Sequence, residues 1–333
     1  MQVGRITAVT ITTPDLDRVI DIYSNYLNYR LVYSTKVNSD QARSWDAENI
    51  ENAEMIYMSP EGSNDFFFRF VEQSIDPSYV PFGTHGWNAA ELIVKDVDES
   101  AKKLIDSPFE IIGEPADLSF TDQIRAMQIM GPSKEILYLT QFKSKLDEFD
   151  SPTPRCDIDQ TFIVILAGEN IDKMQSFFNE TLSIERAPPM QSRIRAISKV
   201  FNLPEDTQYK SAALAIRGQS LIELDEMPPE AGPRESISGY LPSGISIVSF
   251  LAHESNFLEE TYDSNIPNFK KIQANTIKGT NAIHYTLTFN IPIESAKCSQ
   301  KRYLGYRSRV FVSSPQMWAV VLEPRDGNTL NTV

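Results

Sequence analysis

Cysteine, histidine and glycine are scarce in this 333-residue chain, which holds 2 Cys, 3 His and 14 Gly. Cys156 and Cys298 are too few for a disulfide framework, which fits a reducing compartment. Neither stands in a motif that would activate a thiolate. His85, His253 and His284 match no short metal-ligand spacing and read as loop or strand-edge residues. No Gly-x-Gly-x-x-Gly loop exists to cradle a phosphate. No apolar run is long enough for a membrane-spanning helix. Residues 1–5 carry no apolar core of a secretory signal, so a cytoplasmic location is expected. Basic residues are outnumbered, 31 Lys and Arg against 45 Asp and Glu, for a net charge of −14. Such a surface repels phosphate backbones and anionic lipid, and the only basic doublets, Lys270-Lys271 and Lys301-Arg302, make no patch. Neither a nucleic acid nor a membrane is an expected partner.

What is present is ordinary globular composition, 41% apolar and 23% charged, in a chain long enough for two domains. Near the start, Val9 and Ile11 alternate with Thr10 and Thr12, as a strand with two distinct faces requires. Pro14 and Asp15 end that strand, and the Asp15 carboxylate can cap a helix that puts Val19, Tyr23 and Leu27 on one side. Three strand-like segments follow. The same order, strand, capped helix, then strands, returns after Asp96, Asn170 and Glu254. Eight residues beyond the four caps stand Tyr23, Leu104, Phe178 and Tyr262, each large and apolar on the packing side. The fourth unit is stretched between residues 265 and 299, which reads as an insertion.

The phrase from Val9 through Asp15 to Tyr23, with Leu27-Asn28-Tyr29-Arg30-Leu31 after it, resembles the opening of a module of the vicinal oxygen chelate (VOC) superfamily. That superfamily includes glyoxalase I, extradiol dioxygenases and fosfomycin- and bleomycin-resistance proteins. The resemblance implies an α+β fold of tandem βαβββ modules that pair into curved, cup-shaped mixed sheets with helices outside. It implies an N-terminal VOC domain over residues 1–145 (modules 4–75 and 86–145), a linker over 146–157, and a C-terminal VOC domain over 158–333 (modules 158–227 and 243–325). Whether modules pair within each half, or first with fourth and second with third, stays open. In the superfamily a metal sits in the cup, held by the first and last strands of paired modules. The corresponding positions here are Ala8, Ala89, Ile163 and Ile247 on first strands, and Arg69, Tyr138, Glu223 and Val321 on last strands. Of these eight only Glu223 is a usual ligand, too few donors for a catalytic divalent ion. No metal and no other cofactor are therefore expected.

Strand parity places further side chains in the cups. If Val9, Ile11, Ala90, Leu92 and Val94 face helices, then Thr10, Thr12 and Glu91 face a cup, joined by Arg69, Tyr138 and Thr140. Arg69 and Glu91 either neutralise each other or leave Arg69 to orient an anionic ligand. In the second reading Glu91 accepts a proton and Tyr138 donates one. His85, placed in a loop at the mouth, is a third proton-transfer candidate. The second half offers a mostly hydrocarbon cup (Ile163, Ile165, Ile247, Leu251, Val321) with Glu223 and Arg217 as polar anchors. The aromatic run Phe66-Phe67-Phe68 with Phe70 reads as core. The expected function is a metal-independent protein that binds a small organic molecule, aromatic or bearing a keto or acid group, and catalyses proton transfer such as isomerisation or elimination. The alternatives are an antibiotic-type binder without chemistry, and a metal-dependent extradiol dioxygenase or lyase with its ligands elsewhere. Either a monomer or a homodimer fits four modules in one chain.

Overall fold

A computed structural model describes residues 3–146 and 149–252, and beyond them the backbone of five short strands. The elements in chain order are β1 (Val3–Thr13), α1 (Leu16–Leu27), β2 (Tyr29–Lys36), α2 (Ser39–Ser44), β3 (Glu54–Pro60) and β4 (Phe67–Glu72). They continue with β5 (Thr84–Val94), α3 (Val97–Leu104), β6 (Glu110–Leu118), β7 (Thr121–Met130) and β8 (Ile136–Phe142). Next come β9 (Ile158–Gly168), α4 (Ile171–Leu182), β10 (Met190–Arg193), α5 (Arg195–Val200), β11 (Gln208–Ile216), β12 (Ser220–Glu226) and β13 (Gly232–Pro233). The last are β14 (Ile245–Ala252), β15 (Phe269–Lys271), β16 (Asn275–Thr276), β17 (Ile283–Phe289), β18 (Arg309–Val310) and β19 (Trp318–Pro324). The fourth helix expected after Glu254, Tyr262, His253 and most of the expected insertion lie outside the described residues.

The helix starts follow from their caps. Asp15 accepts from Arg18 N, Asp96 from Glu99 N and Asn170 from Lys173 N, each at 2.9 Å, which satisfies one of the amides a first turn leaves free. α1 and α4 end on Asn28 and Ser183 in the left-handed region, φ 56° and 54°. Tyr23, Leu104 and Phe178, eight residues past their caps, are fully buried.

The sheets pair modules across the chain. The path through the first sheet is β15-β17-β19-β14-β1-β4-β3-β2, and through the second β10-β11-β12-β9-β5-β8-β7-β6. β1 runs antiparallel to β14, and β5 antiparallel to β9. The first module therefore joins the fourth and the second joins the third, so each sheet draws on both sides of the 146–157 segment. One face of each sheet, with α1, α3 and α4, enters a single core that holds Tyr23, Phe68, Trp87, Leu104, Phe178 and Phe250. The Phe68 and Phe70 rings pack edge-on against Tyr23, as the aromatic run implied. Each opposite, concave face carries its own smaller cluster. The β2–β3 connection, with α2 and Trp45, packs on the first concave face, and Ile197 of α5 packs on the second.

A buried carboxyl ties the two sheets together. Tyr23 Oη of α1 donates to Glu135 Oε1 at 2.7 Å, and Ser133 N donates to Glu135 Oε2 at 2.8 Å. Glu135 is wholly buried, and that burial pushes its pKa up to about 7 against the pull of both bonds. A Cβ added at Gly131 would lie 2.0 Å from Oε1. Gly131→Ala is thus expected to expel the carboxyl and leave two donors unpaired, for a loss of about 2–3 kcal/mol. Urea denaturation at pH 7 checks this; a change below about 0.5 kcal/mol would mean that the carboxyl is not held.

Candidate functional site

The parallel strand pair that closes each module fixes which residues share a concave face. It sets Thr10 opposite Arg69, Glu91 opposite Tyr138, Ile165 opposite Glu223 and Ser249 opposite Val321. Thr10, Glu91 and Ile165 each stand five residues before their caps Asp15, Asp96 and Asn170, so the positions that the resemblance assigns to metal ligands occupy equivalent places in these three modules.

The concave face of β5, β8, β9 and β12 collects Glu91, Tyr138, Thr140 and Glu223. It also holds Asp225, which sequence reading passed over. Asp225 stands two residues after Glu223 on the same strand, and the period of two was the available signal. Glu91 is 9% exposed and Asp225 3%, while Glu223 keeps partial access to solvent. Beside Glu223 on β11, Ala213 is exposed, so the face opens there. No Lys or Arg among the described residues pairs with these three carboxyls. Burial, and then the charge of Glu223, push Glu91 up to about 8. Burial pushes Glu223 up to about 7. Asp225 is raised by burial and by Glu223. Tyr138 is raised by burial and by Asp225, Glu223 and Glu91, so its phenol stays protonated. Thr140 Oγ1 and Asp225 Oδ1 make no good hydrogen bond here. Phe82 lies against Tyr138, and Phe142, Phe149 and Phe162 cluster together, so the walls are apolar.

The other sequence candidates are placed apart. Arg69, Thr10 and Thr12 lie on the concave face of the first sheet. Arg69 and Glu91 therefore do not form the pair that sequence parity allowed: parity was right for each residue, but their strands belong to different sheets. Arg217 is not a cup anchor. It is exposed where β11 turns into β12, and its backbone N–H donates to Val3 O at 3.0 Å. His85 is not in a loop. It is the second residue of β5, 6% exposed, with Nδ1 unpaired and its pKa lowered by burial against the opposing charge of Glu169.

The residues present do not fit the divalent metal implied by the VOC resemblance. Ala89 and Ile163 offer no donor atom, and among the described residues no group of three or more His, Cys, Asp or Glu converges to hold an ion. Nor is any helix among them long and apolar enough to cross a membrane.

No known family profile matches the sequence, and no curated protein matches it. The structure is similar to glyoxalase I from Zea mays, with a TM-score of 0.59 at 15% identity over 96% of this chain and 92% of that one. It is also similar to a Bacillus subtilis protein described provisionally as a dioxygenase, with a TM-score of 0.56 at 14% identity over 85% of this chain and 82% of that one. At such identities the likeness is one of fold. The chain shares the α+β fold of glyoxalase I and of that Bacillus subtilis protein, as the βαβββ phrasing of its sequence indicated.

Proposed function

We propose that the concave face of β5, β8, β9 and β12 binds a small, uncharged, carbonyl-bearing organic molecule and moves a proton within it. The observation that carries this reading is the Glu91–Glu223 pair. These are a buried carboxyl and a partly open one, neither with a cationic partner among the described residues, and their pKa values are raised to about 8 and about 7. Uncompensated buried acids are costly and concentrate where proton transfer is done. Near neutral pH Glu91, pushed up to about 8, keeps its proton, while Glu223, pushed up to about 7, is partly ionised. Glu91, the more buried, holds the proton, and partly open Glu223 is the base. Sequence reading had cast Glu91 as the acceptor.

In the proposed step the Glu223 carboxylate takes a proton from the carbon next to the carbonyl. The electron pair moves onto the carbonyl oxygen, which receives the Glu91 proton, and an enol results. Where a double bond lies beyond the deprotonated carbon, the enol is a dienol. Glu223 then returns its proton to the far end of that double bond while the enol O–H gives its proton back to Glu91. The carbonyl re-forms, both carboxyls are restored and the isomerisation involves no redox change. Tyr138, opposite Glu91 in register, is the proposed second hydrogen-bond donor to the same oxygen. Carboxylates on the floor disfavour an anionic substrate, and the apolar walls accept its hydrocarbon part.

Infrared titration between pH 5 and 10 is the direct test. Wild type should show carboxyl protonation persisting to about pH 7–8, with that signal reduced in Glu91→Gln and in Glu223→Gln. Both acids titrating in the ordinary range would end the proposal. Deuterium exchange at the α-carbon of acetophenone and cyclohexanone in D2O then reads the chemistry. Tight binding with no exchange, unchanged by Glu223→Gln, would support a sequestering protein instead.

A further inference from the structure

Two arginines are each 1% exposed, and they are opposites. Arg234 spends all its donors on hydrogen bonds, from Nε to Thr84 Oγ1, Nη1 to Ser243 O and Ile245 O, and Nη2 to Trp87 O and Asn88 Oδ1. Arg69 makes no hydrogen bond and no ion pair among the described residues, and its buried Nε has no acceptor. Its guanidinium lies 5.3 Å from the ring centroids of both Trp45 and Tyr57. The two aromatic faces ease the charge without taking up any N–H.

Arg69 is not alone. Thr10 Oγ1, Thr12 Oγ1 and Ser249 Oγ are also buried and unpaired. Register puts all four on one face: Thr10 is opposite both Arg69 and Ile247, Thr12 is opposite Val71, and Ser249 is two residues from Ile247. Four unmet polar groups on one concave face are far from the usual rule that buried polar atoms find partners. A planar fork with three hydroxyls on the same face suits a carboxylate, which accepts at both oxygens. Trp45 and Tyr57 suit a flat aromatic body.

We propose that the concave face of the first sheet is a second ligand site, built for a small aromatic carboxylate. It is independent of the acid-lined site on the other sheet and opposite to it in charge preference. The β2–β3 connection, with Trp45, is its cover, clamped by Asn49 N to Gly239 O at 2.9 Å.

Benzoate and its neutral counterpart benzamide are the probes, read by calorimetry and by fluorescence on the full chain. Benzoate is expected to bind and benzamide to bind at least about tenfold more weakly, with Arg69→Met abolishing the difference. Arg69→Met should unfold at nearly the wild-type urea midpoint, because no hydrogen bond is lost. Thr10→Val, which keeps the shape, should weaken benzoate several-fold and serves if Arg69→Met does not fold. Glu91→Gln should leave benzoate binding unchanged, which separates this site from the proton-transfer reading. Equal binding of benzoate and benzamide, no binding of either, or benzoate affinity untouched by Thr10→Val would overturn the proposal. The four groups would then be satisfied by water alone.

Discussion

Arg234→Met is expected to destabilise the protein by about 3–5 kcal/mol, among the largest single effects in the chain. The five acceptors that Arg234 serves belong to the beginnings of β5 and β14 and the residues just before them, one strand from each sheet. Methionine fills the volume but strands three backbone carbonyls and two side-chain oxygens in a dry place. Burial lowers the Arg234 pKa to about 10, so the charge itself is held at a cost, which the bonds offset. The Tyr79 ring lies 4.7 Å from the guanidinium, and its hydroxyl stands where a Cβ on Gly244 would go, at 2.4 Å. Gly244 also has φ +75°, so no other residue sits there easily. Lysine offers at most three donors and should recover only part of the loss. Urea denaturation of Arg234→Met and Arg234→Lys checks this. A loss below about 1 kcal/mol for Met would mean the two sheets do not depend on this residue.

The contrast between Arg234 and Arg69 also shows where sequence reading reaches its limit. The caps Asp15, Asp96 and Asn170 are legible because a short acceptor side chain before a 3.6-residue apolar period has few other uses. The strand faces are legible because Thr10 alternates with Val9 and Ile11, and Glu91 with Ala90 and Leu92. The partner of each face is not. β1 and β5 are buried on both sides for almost their whole length, so nothing in their pattern names the strand lying alongside. Choosing between β1 with β5 and β1 with β14 is a question of long-range contact, and it decides whether Arg69 meets Glu91. Trp45 sits in a polar connection, and its burial over Arg69 has no periodic signal. Arg234 follows the proline-rich stretch at 228–233, which reads as a divider between modules, yet that segment pairs with β5 at Thr84 and His85.

Stability should fall as the pH rises from about 5 to about 8, and Glu91→Gln should remove much of that fall. In the unfolded chain a glutamate gives up its proton near 4.5, whereas folded Glu91 keeps it to about 8. Between those values the folded state binds more protons than the unfolded one, so the free energy of unfolding decreases with pH. Below about 4.5 both states are protonated and the group has no effect; above about 8 the full penalty is present. At about 1.4 kcal/mol per unit, the ceiling for Glu91 is about 5 kcal/mol. Glu223 and Glu135, each pushed up to about 7, act in the same direction over a narrower span of pH. Glutamine cannot ionise, so Glu91→Gln should be more stable than wild type at pH 8.5 by about 2–4 kcal/mol and nearly equal to it at pH 5. Urea melts at the two pH values measure this directly. A residue whose removal stabilises the fold under working conditions is retained for something other than folding, which is what a proton-transfer acid on the cup floor requires. If Glu91→Gln is instead less stable at both pH values, Glu91 is part of the scaffold, and the chemistry assigned to the β5–β9 face loses its acid.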